Sequence, residues 1–138
     1  MSKDLELSVT LRTDLPGHKF LVVNNGDHLH TFEKNENAHV ITWTLTGNAS
    51  HCEFYPPDGH SPGSGFQWPF NKPREGIFSA VSRPAPNKLR MVNHHIDRTT
   101  EGTWPYQLFA RFGDEVYQML WVTANGPANS PNPTIKNT

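Results

Sequence analysis

A single cysteine, Cys52, stands among the 138 residues, so the chain can close no internal disulfide and carries no paired-cysteine zinc motif. Charge is scarce as well. Asp, Glu, Lys and Arg make up 18% of the chain and leave a net charge of −1 with the histidines neutral, which offers no basic field to a phosphate backbone. Nucleic acid is therefore not an expected partner. Long apolar runs are missing too: residues 20–23 and 119–122 are the longest, against roughly 20 for a spanning helix, so no membrane insertion is expected. Lys3, Asp4 and Glu6 occupy the place where an export signal would carry its apolar core, and with a lone thiol this points to the cytoplasm.

What is present is turn chemistry. Twelve prolines and ten glycines, with abundant Asn, Ser and Thr, favour many short strands over helices, and no window of helical period competes with the strand patterns. Leu5, Leu7, Val9 and Leu11 alternate with Glu6, Ser8 and Thr10, predicting a first strand. Strands follow at 19–24, 28–32 and 39–46, the last with Ile41, Trp43 and Leu45 toward the core and Val40, Thr42, Thr44 and Thr46 away from it. Residues 47–86 break the pattern with Pro56-Pro57-Asp58-Gly59, Ser61-Pro62-Gly63-Ser64-Gly65 and Pro84-Ala85-Pro86, and are read as a long loop holding a few short strands. A strand at 88–94 and a polar crossover lead to 102–122. There Trp104, Tyr106, Leu108, Ala110 and Phe112 share one face, Gly113-Asp114 reverses the chain, and 116–122 returns with apolar side chains on both faces. Residues 123–138 are rich in Asn, Pro, Ser and Thr and are expected to form an irregular tail. The expectation is one domain over 1–138: an all-β, immunoglobulin-like or cupredoxin-like β-sandwich of about seven to nine strands.

Gly102-Thr103-Trp104-Pro105-Tyr106 resembles the penultimate strand of cupredoxin-like domains. With residues 41–47 (Ile-Thr-Trp-Thr-Leu-Thr-Gly) and Asn132-Pro133-Thr134-Ile135, about two thirds of the chain is similar to small bacterial proteins of that sandwich labelled DP-EP. The resemblance implies a fold and little about activity. A type 1 copper site needs a thiolate at the end of this strand and a histidine in the next loop. The thiolate position falls near Leu108, and no Cys or His occurs after His95, which leaves blue-copper electron transfer without its ligands.

Eight histidines are the one excess that could carry chemistry. His28 and His30, two apart on a strand, project from one face and could share Zn or Cu, given a third ligand from His51, His60, His94, His95 or Cys52. His51-Cys52 and His60 supply nitrogen and sulfur within ten residues, although an isolated Cys before Glu53 and Phe54 more often packs as a small hydrophobe. A Cys52 thiol nucleophile would need a lowered pKa and an orienting group. His94 beside Asp97 could form an oriented acid–base pair, but a hydrogen-bonded structural histidine ranks above it. Asp58, Glu53 and Glu75 have no spacing that fixes a catalytic pair.

The loop aromatics Phe54, Tyr55, Phe66, Trp68, Phe70 and Phe78 suit sugar or peptide recognition, or fold back as a lid over one end of the sandwich; the lid ranks first. Trp43, Trp104 and Trp121 are read as core. Together these point to a non-catalytic binding or interaction module with no resident cofactor. Its working surface is 47–86, with Tyr55, Phe66, Trp68 and Phe70 as ligand residues and a small molecule, sugar or protein as partner. A histidine-based Zn or Cu protein using His28, His30, His51, Cys52 and His60 is the runner-up, and a self-associating homo-oligomer the third reading.

Overall fold

Strand β1 (Asp4–Arg12) buries Leu7, Val9 and Leu11 and turns the residues between them outward, as a half-buried strand must. It runs parallel to β4 (His39–Leu45), with Leu7 opposite Trp43 and Val9 opposite Leu45, and antiparallel to β2 (Phe20–Val23). On the far side of β4 lie β8 (Lys88–Asn93) and then β7 (Ser82–Ala85), giving a five-stranded sheet ordered β2-β1-β4-β8-β7. Ile41, Trp43 and Leu45 all point into the core. This computed structural model describes residues 4–13, 19–57, 63–70, 72–119 and 133–138.

Two smaller sheets face the first. One is β3 (Leu29–Phe32), β12 (Thr134–Asn137) and β9 (Gly102–Pro105), with β12 central. The other is β11 (Glu115–Gln118), β10 (Gln107–Phe112) and β5 (Glu53–Phe54), with the two-residue β6 (Phe66–Gln67) also paired to β10. Leu7, Trp43 and Leu89 from the large sheet share one core with Phe32 and Ile135 from the β3-β12-β9 sheet and Phe54, Leu108 and Ala110 from the β11-β10-β5 sheet. The described chain is all-β and sandwich-like, cut into twelve strand segments, some only two residues long. None of its helices is long and apolar enough to cross a membrane.

Several expectations change. Residues 102–112 are two strands in two sheets, joined at Tyr106, whose N–H is given to the Pro133 carbonyl. Gln107 secures the second piece, its Oε1 accepting from the N–H groups of Leu108 and Met119. The returning limb is buried on one face only. Tyr117 and Met119 point inward, while Val116 and, across the turn, Phe112 are 48% and 51% exposed, with no layer over them among the described residues. Leu120, Trp121 and Val122 lie outside the described residues. The tail is not irregular throughout: Thr134–Asn137 is the middle strand β12, with Ile135 fully buried. Its polar Asn137 is tolerated inside because it exchanges two amide hydrogen bonds with Asn93, at 2.8 and 3.1 Å, and donates to the Thr100 carbonyl. Pro84, read as a turn, sits in β7, an edge strand where a missing N–H costs no ladder bond.

Candidate functional site

Phe66, Trp68 and Phe78, from the described part of the 47–86 segment, pack as a row of aromatic rings against the core. Gly65 sets its course: at φ +86° an added Cβ would lie 2.3 Å from the Tyr55 carbonyl oxygen, so only glycine lets this turn press against that backbone. Phe66 then stacks on Tyr106, with centroids 5.3 Å apart and planes at 13°, and tilts against Trp43 at 5.4 Å. Trp68 meets Phe66 edge-on at 4.9 Å and Phe78 at 5.2 Å, and Phe78 meets Trp104 at 5.4 Å. Outside this row lies a groove of about 630 Å³ whose wall includes Phe66, Trp68 and Phe78, with Lys72, Arg74 and Glu75 along one rim. Arg74 Nη2 donates to the Thr99 carbonyl at 3.0 Å, which ties the rim to the neighbouring turn.

Of the four aromatics expected to bind a ligand, Phe66 and Trp68 meet in this groove. Tyr55 is buried, with the Arg111 guanidinium 5.0 Å from its ring centroid, and Phe70 stands half exposed outside the groove wall. Phe78 completes the wall. The charged rim escaped the sequence reading, where Lys72, Arg74 and Glu75 look like ordinary solvated loop positions beside Pro73. Trp43 and Trp104 are core residues as expected.

The histidines are dispersed. His28 and His30 do share the inward side, with Leu29 and Thr31 turned out. His30 is buried, and its Nε2 lies 2.8 Å from the Tyr106 hydroxyl, which also accepts from Trp43 Nε1 at 2.9 Å. An indole only donates, so the hydroxyl accepts from Trp43, and it donates to or accepts from His30 Nε2 according to the tautomer of that ring. Burial pushes the Tyr106 phenol far above its usual range, against a smaller downward pull from the Trp43 bond. His28 lines a separate cavity of about 270 Å³ with Arg12, Phe20 and Met119; burial lowers its pKa and Asp27 partly restores it.

His51 and Cys52, as chain neighbours, point apart: His51 is exposed against the edge of Phe112 at 4.5 Å, and Cys52 is buried in the core. Burial pushes the Cys52 thiol up, Lys19 pulls it down and Glu115 raises it again, the reverse of what a nucleophile needs. His60 and Asp58 lie outside the described residues. Among the described residues no three His, Cys, Asp or Glu side chains are placed to hold a metal ion, so the proposed His28, His30, His51 and Cys52 set is not assembled. Leu108, which the resemblance sets against the type 1 copper thiolate, is an apolar side chain buried in the core and offers no ligand atom.

His94 and His95 also diverge, and the lower-ranked candidate pair of His94 with Asp97 is not formed. The Asp97 carboxylate instead accepts from the Thr99 N–H and hydroxyl, which lowers its pKa. His95 is wholly buried, its Nδ1 2.8 Å from the Thr100 hydroxyl and its Nε2 2.7 Å from the Thr138 carbonyl. It is a structural tie between the 98–100 turn and the end of β12. Glu53 is engaged by Arg111 at 2.6 Å, opposite it across β5 and β10. No family model matches this chain, and no curated protein matches it.

Proposed function

We propose that the protein is a non-catalytic binding module whose working surface is the groove of the 47–86 segment. The observation that carries this reading is the aromatic wall of Phe66, Trp68 and Phe78 around about 630 Å³, within the range of roughly 300–1,000 Å³ common for small-ligand sites. The rings are held by one another and by Tyr106, so a ligand meets a preorganised face and orders little on binding. The polar groups most suited to catalysis are engaged in structure: His30 with Tyr106, Asp97 with Thr99, Glu53 with Arg111. A cupredoxin-like scaffold without copper ligands is in keeping with a site carried by loops.

The experiment is a titration of intrinsic tryptophan fluorescence with sugars and with peptides. A ligand that perturbs the emission of the wild type and not of Trp68→Ala supports the reading; a ligand bound equally by both places the working surface elsewhere. Chelator should leave the affinity unchanged. The solution mass tests self-association, which the two-residue β6 and the proline-bearing β7 disfavour as pairing edges. We assign the protein to the cytoplasm on its single buried thiol.

A further inference from the structure

We infer that the groove takes an uncharged oligosaccharide, an inference that rests on the binding reading above and names its ligand class. The strands that line the groove decide against an added peptide strand. The lining takes both residues of the two-residue β6 and Met91 of β8, a strand already paired on both sides by β4 and β7. Neither offers a free row of backbone donors and acceptors by which an extended peptide adds to a sheet. Recognition must therefore come from side chains.

Those side chains match sugar rings. Trp68 lines the groove, is half-buried and packs against Phe66, at 82°, and Phe78, at 43°, so it adds aromatic surface to the lining with little rotamer freedom left to lose. A pyranose ring has one face of C–H groups that lies on such a surface and a rim of hydroxyls that both donate and accept. The groove rim answers with both kinds of partner: Lys72 and Arg74 donate, Glu75 accepts, and Gln67 does either. Two cations, Lys72 and Arg74, beside one carboxylate, Glu75, put both signs on the lining and leave only one net positive charge, a weak field with which to select a charged ligand.

The test uses four neutral hexasaccharides on the full chain: β-1,4-linked glucose, α-1,4-linked glucose, β-1,4-linked xylose and β-1,4-linked N-acetylglucosamine. Calorimetry and tryptophan emission are followed together. At least one should bind with a Kd between about 1 μM and 1 mM. Trp68→Ala should weaken it at least tenfold, and Glu75→Ala, at an exposed rim position, should weaken it about threefold with an unchanged melting temperature. Phe70→Ala, outside the groove wall, should leave it unaltered. Failure of all four to bind at about 5 mM overturns the inference, as does binding that survives Glu75→Ala and Trp68→Ala undiminished. If no sugar binds but a peptide selected from a display library does, and Trp68→Ala abolishes it, the ligand class falls and the groove stands. If no selected ligand depends on Trp68 or Glu75, both readings fall.

Discussion

Removing one oxygen atom, in Tyr106→Phe, tests the central polar contact of the core. The hydroxyl joins three buried side chains: it accepts from Trp43 Nε1 at 2.9 Å and lies 2.8 Å from His30 Nε2, with all three residues at most 3% exposed. The ring itself stays, so its stacking on Phe66 and its edge contact with Trp43 survive. What is lost is the bond to His30, about 1 kcal/mol, and the acceptor for the Trp43 N–H, whose burial without a partner costs about 1–3 kcal/mol. The sum, about 2–4 kcal/mol, is a large part of the total stability of roughly 5–15 kcal/mol typical of one domain. Urea unfolding should show the midpoint falling with an unchanged slope. Trp43→Phe removes the same donor, so combining it with Tyr106→Phe should cost about 1–2 kcal/mol less than the two singles added. A Tyr106→Phe loss under about 0.5 kcal/mol, or strict additivity with Trp43→Phe, would refute the reasoning.

Gly65→Ala should destabilise by more than about 2 kcal/mol, because strain at positive φ adds to a backbone clash; Gly26→Ala, with nothing within 4 Å of its Cβ, should cost only about 1 kcal/mol, so thermal melts that rank the two the other way contradict the packing. Cys52 should resist thiol reagents in the native protein and react only on unfolding; rapid native labelling would show that the thiol is neither buried nor held up in pKa. Burial raises the Tyr106 phenol, and the hydrogen bond to Glu115, with burial, pushes Tyr117 up to about 12, both above the usual 10.0, so the unfolded chain loses these protons first. Stability from both is complete below pH 10 and should fall as pH rises beyond it, read as denaturant midpoints across alkaline pH. His28 has the opposite sign: its lowered pKa means that the unfolded chain binds the proton first, so its contribution holds above pH 6.5 and is lost on acidification. His28→Gln should flatten that acid limb, and an unaltered limb would exclude His28 as its source.

Much of the fold was legible because a half-buried strand leaves a period of two in the chain. Residues 5–11 and 39–45 announce their inward faces, and Gly113-Asp114 announces its turn, without reference to any partner. The aromatic group of the loop was visible as composition, whereas the contacts that join Tyr106, Phe66, Trp68 and Phe78 into a row were not. The divergence of the histidines was only half legible, since alternation separates His51 from Cys52 but says nothing of what faces His30. The sequence by itself therefore determined the inward faces of residues 5–11 and 39–45, the reversal at Gly113-Asp114, and that one thiol can form no internal crosslink.

Only the tertiary structure decided which distant groups meet. Tyr106 finds His30 across 76 residues and Trp43 across 63; Asn93 finds Asn137 across 44, and that pair makes a polar four-residue segment a central strand. Lys72, Arg74 and Glu75 share one groove with Phe66, Trp68, Phe78 and Met91 because the fold brings these segments side by side. Local alternation records a side chain's direction, whereas a partner is chosen by strand order and register, through contacts whose chain-closure cost and reward leave no periodic mark on the residues between.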